Sequence, residues 1–376
     1  MTSSTKRRFL PRLACLGIAA ATVASFAAGE PSAGEREGEP LAARSHDFRA
    51  AYEAYLAASS DGRHGEAATH AEQVRRLGET LFAGDGRRLA TLAYNHGHAL
   101  SKASRYGDAY DVLKDARKLM RDAHGEDAPE LAQVEIALVT AAPLSAVRKH
   151  LRRAERIARL HDLDESASIA HAQLMVGMRI GGRQGLRLLE EATTAFEGLD
   201  DADGLALGNY WLGKIRAKHG WGDAAGHFEA TLAHARRGEA DRPAVRSLVL
   251  MAHRSLVTVL EESGLRDEAT KHCLAIGRLT SSGGTSGLQA LYKQAPTYPA
   301  SAWRQRIEGW VQMEFDVDES GFVRDAKVVE SDGGVGFETA ALEAVRGFRY
   351  APRFVDGEAV ASPGVRNLIK FEIKEG

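Results

Sequence analysis

The sequence predicts a chain of two parts: an α-helical repeat solenoid, then a small α+β domain in which two helices accompany an antiparallel sheet. Three observations predict it. From about residue 46 to 280 the apolar residues recur at helical spacing. Within that span one arrangement of small residues returns several times, the mark of a repeat. After a Gly- and Ser-rich break, LTSSGGTSG at 279–287, the period drops to two, with Val311, Met313, Phe315 and Val317 alternating with Gln312, Glu314 and Asp316.

A chain of 376 residues is longer than one core usually organises, so more than one domain is expected. Its composition is ordinary, 44% hydrophobic and 27% charged, with a formal net charge of -2. Such near-neutrality argues against a protein that coats nucleic acid, which carries a basic excess or a basic face.

The first residues differ from the rest. Lys6, Arg7 and Arg8 precede an uncharged run from Leu13 to Gly29 that ends in small residues, the layout of a secretory signal over residues 1–27 with its cut after Ser25-Phe26-Ala27. An uncleaved anchor is the alternative, although the Ala-rich run is shorter than the ~20 residues a spanning helix needs. Cys15 sits near the start of the apolar run, whereas a lipid-attachment cysteine closes it. Without Cys15, Cys273 has no disulfide partner, and its neighbours Leu274, Ala275 and Ile276 make it a buried structural thiol. Residues 28–45 are polar, contain Gly and Pro, carry no period, and read as a flexible lead-in.

The helical part is expected over 46–278. Its clearest unit is LAYNHGHALSKASRYGDAYDVLKDARKLM, where Gly97 and Ala109 let two helices approach closely, Tyr106 fills the turn and Ala116 packs beyond it. The same grammar returns around Gly62 and Ala67, around Gly213, Gly220, Ala224 and Phe228, and around Gly264 and Ala269. These positions resemble those of a tetratricopeptide helix pair. The intervals, 42 residues from Ala67 to Ala109 and 45 from Ala224 to Ala269, exceed the repeat's standard 34. Degenerate units near 147 and 186 bring the count to about six, and an irregular helical bundle is the alternative. Stacked units of this kind create a groove suited to a peptide or a partner helix. On AVRKHLRRAERIARL, 146–160, six basic residues surround the stripe Val147, Leu151, Ala154 and Ala158; a solvated helix face is the plain reading and an acidic partner the other.

Residues 279–290 are expected to link the helices to a domain at 291–376. There the first strand ends in the turn Asp318-Glu319-Ser320-Gly321, and Val323, Ala326, Val328 and Val329 form the return, with a bulge between Val323 and Ala326. In FETAALEAVRGF, Phe337, Ala341, Val345 and Phe348 share one helical stripe, which Pro352 stops. The closing VRNLIKFEI points Val365, Asn367, Ile369, Phe371 and Ile373 one way and Arg366, Lys370 and Glu372 the other. The expected order is short helix, strand, strand, helix, strand. A short sheet that ends in an unpaired strand presents free N–H and C=O groups, a template for a further strand. Residues 366–371, Arg366-Asn367-Leu368-Ile369-Lys370-Phe371, are the expected edge, with Arg366 and Lys370 guarding it from self-pairing.

These residues resemble the C-terminal domain of TonB energy-transducing proteins. The resemblance runs through Pro296-Thr297-Tyr298-Pro299, Arg306-Ile307-Glu308-Gly309, VQMEFDVDESGFVRDAKVVES, Phe348-Arg349-Tyr350-Ala351-Pro352, Asp356-Gly357 and the closing strand, about 80 of the 376 residues. It implies a periplasmic domain whose last strand takes up a short segment of an outer-membrane receptor, with Gln294, Pro296, Tyr298 and Pro299 near the same partner. Ser301 departs from the family pattern, which has arginine there.

No residue set carries an enzyme, a metal or a cofactor. Asp316, Asp318, Ser320 and Gly321 imitate a calcium loop, but its twelfth position is Lys327 instead of glutamate, and a hairpin turn accounts for them. His96 and His98 face different ways on one helix, and Glu308 has no second acid. Two functions follow. One is a periplasmic adaptor whose repeats and terminal sheet each grip a protein, a receptor segment or another envelope protein. The other is an inner-membrane transducer facing the periplasm and coupled to a motor complex. Against the second stand an N-terminal run without the Ser and His of the family's anchor and only ten Pro in the whole chain, too few for a spacer.

Overall fold

The computed structural model describes residues 41–162, 167–237, 242–281 and 288–373. The expected signal or anchor and most of the lead-in lie outside the described residues, as does the middle of the expected linker. Among the described residues no helix is long and apolar enough to cross a membrane. The chain divides into two compact units that part near residue 164.

The first unit holds three helix pairs: α1 (Leu41–Ser60) with α2 (His64–Leu81), α3 (Gly86–Lys102) with α4 (Tyr106–His124), and α5 (Glu130–Ala141) with α6 (Leu144–Leu160). Helix α1 begins at Leu41, so the end of the expected lead-in is already helical. Asp85 starts α3 by accepting a hydrogen bond from the Arg88 N–H at 3.1 Å. The close approach of α3 and α4 is at Gly97, where an added Cβ would stand 2.6 Å from Leu113. Tyr106 does not fill the turn, as the sequence suggested; it is largely exposed, because the glycine contact already closes the pair. Val147, Leu151, Ala154 and Ala158 are buried on α6, so its apolar stripe faces the core.

The second unit begins with three more pairs: α7 (Ala167–Ile180) with α8 (Gly182–Gly198), α9 (Ala202–His219) with α10 (Ala224–Arg237), and α11 (Pro243–Glu262) with α12 (Arg266–Ser281). The described helices thus make six pairs, the helical-repeat part of the fold. Gly213 faces Phe228 as Gly97 faces Leu113, and Gly220 ends α9 in the left-handed region. Three pairs share a polar tie from the first helix to a histidine on the second: Glu135 to His150 at 2.6 Å and His253 to His272 at 2.9 Å, both buried, and Asn209 to His227 at 2.9 Å, half-buried.

The sheet domain shares this second unit. Strand β2 (Gly309–Val317) lies between β3 (Val323–Asp332) and β7 (Ser362–Phe371), both antiparallel to it. Val311, Met313, Phe315 and Val317 are buried beneath α14 (Val335–Arg346), whose Phe337, Ala341 and Val345 complete that core; Ala302 of α13 (Ala300–Gln305) joins it. The bulge expected between Val323 and Ala326 is present: Glu314 faces Lys327 and Asp316 faces Arg324, with the extra residue Asp325 at a positive φ of 49°. A second bulge on β3 falls between the partners of Gln312 and Met313.

Four short strands were not anticipated. β1 (Gln289–Tyr292) pairs with β4 (Arg349–Ala351), and β5 (Arg353–Val355) pairs with β6 (Glu358–Val360). Helix α14 ends at Arg346, so Pro352 is not what stops it; Gly347 closes the helix and the chain is already extended by Arg349. The expected linker is also partly structured, with residues 279–281 finishing α12 and 289–290 starting β1. β1 and β4 pack on α11 and α12, where Val257, Cys273, Ile276 and Ala351 form one buried cluster. Gly277 permits this: a Cβ there would sit 2.5 Å from the Pro352 carbonyl oxygen.

Candidate functional site

Alternate residues of an antiparallel strand send their N–H and C=O groups to opposite neighbours, so a strand with one neighbour leaves half of them unpaired. Among the described residues β7 is hydrogen-bonded to β2 alone. Residues 365–371 pair with 315–309 in unbroken register, seven consecutive pairs. They offer a straight margin of roughly 24 Å. The opposite margin of the sheet differs. β3 carries two bulges, and the residue before it, Phe322, is bridged to Arg349. Bulges twist an edge away from further pairing, whereas the β7 edge is regular.

Alternation along β7 separates its site residues onto two faces. Ile369 and Phe371 are buried in the sheet's core, with Asn367 half-buried in the same row. Arg366, Leu368 and Lys370 point to the solvent face, where Leu368 is 46% exposed. Glu314 on β2 joins Arg366 Nε at 3.1 Å and Lys327 Nζ at 2.9 Å. Hydrogen bonds from Lys327 and Arg366 hold the Glu314 carboxyl below the usual carboxylate range. Beyond Phe371 the strand is steadied by Glu308, whose carboxylate accepts the Ile373 N–H at 2.7 Å. That is a structural role, in keeping with the absence of a second acid.

The segment before α13 reaches the end of β7 through one side chain. The Tyr298 ring lies 5.7 Å from Phe371, 5.6 Å from Phe337 and 5.5 Å from Trp303, and its hydroxyl donates to the Ile307 carbonyl at 2.7 Å. Pro299 packs against Gly336. Gln294 is exposed and lies against Gly347 at the end of α14, and Pro296 is half-buried. The structure therefore brings Tyr298 to the core ring of Phe371 at the end of β7 and sets Gln294 at a different contact.

The β2–β3 turn is held by its own hydrogen bonds. Asp318 Oδ1 accepts the N–H groups of Ser320 and Phe322, both at 2.9 Å, which closes the hairpin. Among the described residues no cluster of three or more potential metal ligands exists. Gly321, at φ 83°, stands where a Cβ would be 2.1 Å from the Tyr350 oxygen, so this turn is pinned to β4.

Arg349, inside the motif Phe348-Arg349-Tyr350, has a role the sequence did not disclose. Its side chain is fully buried and meets Glu261 of α11 at 2.5 Å, Thr270 Oγ1 of α12 at 2.8 Å, the Ser320 carbonyl at 3.2 Å and the Phe322 ring at 3.7 Å. An arginine between two aromatics in an otherwise apolar strand was the available signal, but its acid lies 88 residues away in sequence.

Taken together, these elements define a class: a small α+β module on a helical-repeat chain, with an open, regular strand at the margin of its sheet. Residues 294–373 match the family model described as Gram-negative bacterial TonB protein C-terminal. The chain is 33% identical over 89 residues to Protein TonB of Yersinia enterocolitica, an alignment covering 24% of this chain and 32% of that protein. Against Protein TonB of Escherichia coli (strain K12) it is 39% identical over 67 residues, covering 18% and 28%. Over residues 294–373 the chain is thus similar to the C-terminal domain of TonB proteins. It spans about a third of the length of these relatives. Among solved structures, the Rap conjugation gene regulator of plasmid pLS20, determined with a bound peptide, is similar at a TM-score of 0.44 and 17% identity, covering 69% of this chain and 76% of that one. BtubC (BKLC) from P. vanneervenii is similar at 0.40 and 18%, covering 69% and 94%.

Proposed function

We infer that the chain is a protein–protein adaptor of the TonB family that works in the periplasm. Its C-terminal domain, 291–376, takes up an extended segment of a partner as a further strand on β7, and its repeats, 46–278, hold a second protein. The observation that carries this reading is the unbroken, unpaired margin of residues 365–371 in a domain similar to the TonB C-terminal domain. Main-chain hydrogen bonds along such a margin supply affinity, and side chains on either face supply selection. The partner is a segment of an outer-membrane receptor or of another envelope protein. The chain has no catalytic task in this reading. Likeness to Protein TonB from Yersinia and Escherichia favours a second reading, in which the chain is anchored in the inner membrane, engages a motor complex and drives receptor-mediated import.

Proline scanning tests the docking edge. Of the adjacent positions Leu368 and Ile369, one sends its N–H to β2 and the other to the open margin. Proline at the first breaks the sheet, and proline at the second leaves the fold intact but abolishes capture of extended receptor-derived peptides. Undiminished capture by both variants would place the docking surface elsewhere. Fractionation and intact mass then separate the two readings: a soluble chain beginning near Ala28 favours the adaptor, and a full-length membrane-bound chain favours the transducer.

A further inference from the structure

The solvent face of the sheet is ruled into cross-strand lines by its register. Arg366 stands beside Glu314 and, beyond it, Lys327; Leu368 stands beside Gln312 and Glu330; Lys370 stands beside Trp310 and Asp332. In the first line one carboxylate serves two cations, so the line keeps a net positive charge, and Arg366 is its outermost member. In the third line the acid lies on the far strand, two strand spacings or roughly 10 Å from Lys370. Among the described residues Lys370 has its ion pair with Glu372 at 3.8 Å; both side chains are more than half exposed, a contact that water weakens. Between the two cations Leu368 presents an uncovered apolar side chain. The open margin therefore reads cation, apolar, cation at alternate positions.

We propose that this row selects the partner: the segment added to β7 carries acid, apolar and acid side chains at positions i, i+2 and i+4, set against Arg366, Leu368 and Lys370. The proposal rests on strand addition at β7. Residues directly opposite on neighbouring strands hold their Cβ atoms about 4.5 to 5.5 Å apart, close enough for an ion pair, and like charges there repel. The pattern is the same read in either direction, so it suits a parallel or an antiparallel newcomer. A slip of one residue turns both acids to the inner face, beside Asn367 and Ile369, so the same row also sets register. It refuses a second copy of β7 as well: centred on Leu368, an antiparallel copy would set arginine against lysine, and a parallel one each cation against itself.

The test uses the full chain and three synthetic fluorescent peptides of about nine residues, Thr-rich, with binding read by anisotropy. One carries Glu, Val and Glu at alternate positions, one Lys, Val and Lys, and the third the first pattern with its acids moved by one residue. The first is expected to bind about tenfold more tightly than the other two, with a gap that narrows as salt rises from about 0.05 to about 0.5 M. Arg366→Glu with Lys370→Glu reverses the preference between the Glu and Lys peptides, and Arg366→Ser with Lys370→Ser erases it. Equal binding of all three peptides, or an unchanged preference in the variants, overturns the selection rule. If that equal binding is lost when alternate peptide amides are N-methylated, strand addition stands without the rule. If no peptide binds at all, strand addition at β7 and the rule fall together.

Discussion

Arg349 shows how one residue can hold a domain in place. Among the described residues it is the largest fully buried side chain, and it is charged. Leaving water is tolerable because Glu261, itself nearly buried, meets it at 2.5 Å, while Thr270 Oγ1 and the Ser320 carbonyl accept from Nη2 and the face of Phe322 lies over the guanidinium; the buried Nε–H has no partner among the described residues. Removing one member strands the other. Glu261→Leu, or Arg349→Met alone, is expected to cost about 3 to 5 kcal/mol in urea unfolding of the full chain. The joint replacement Arg349→Met with Glu261→Leu should cost less than the sum of the two, since no charge is then left behind. Purely additive losses would show that the pair is not the coupling unit. Cys273 lies 3.6 Å below the same guanidinium, and burial pushes its thiol up to about 11, the inert structural cysteine its apolar neighbours suggested. That much was legible because the cause is local. The Arg349–Glu261 pair was not, because its halves come from different kinds of element.

Among the elements, the helix pair α11/α12 carries a titrating tie. Glu229 of α10 accepts from His272 Nε2 at 3.1 Å, which leaves His272 Nδ1 as an acceptor for the Nδ1–H of His253 at 2.9 Å. The bond needs His272 neutral, since a protonated ring has no acceptor nitrogen, while His253 donates in either state. Burial, then the neighbouring ring, then Arg236 bring His253 down to about 4, and burial lowers His272 against the pull of Glu229 and Glu268. The unfolded chain takes up protons from about pH 6.5 downward while folded His253 does not until about 4, so stability is level above pH 6.5 and falls as pH drops through that window. The expected loss is up to roughly 3 kcal/mol between pH 7.5 and 4.5, read from urea midpoints and much reduced in His253→Gln. A stability that is flat or rises on acidification would contradict the assignment. The clearest helix pairs were legible because small residues such as Gly97 and Gly213 mark their close approach in sequence. The main sheet was legible through its period of two, and the β3 bulge through its broken phase. Strands β1, β4, β5 and β6 were not, since three or four residues are too few for a period to register.

At the scale of the molecule, the C-terminal domain is built onto its own helices. β1 and β4 close over Val257, Cys273 and Ile276, and Gly277 lets the backbone at Pro352 come down on α12. The docked side of the domain is thus β1, β4 and the β2–β3 turn, while β7 lies at the other end of the strand order, beyond β2. This arrangement anchors one margin of the sheet and leaves the other without a neighbouring strand among the described residues. The edge residues 366–371 could be named from alternation and position alone. The contact of Gln294 with Gly347 could not, because it depends on where the segment before α13 crosses the domain. Main-chain pairing along β7 is most directly tested by amide hydrogen exchange of the full chain with and without the Glu-Val-Glu peptide. Alternate amides within 365–371 should gain protection when the peptide binds while those between them, already bonded to β2, stay as they were. Peptide binding that leaves every β7 amide unchanged would contradict strand addition.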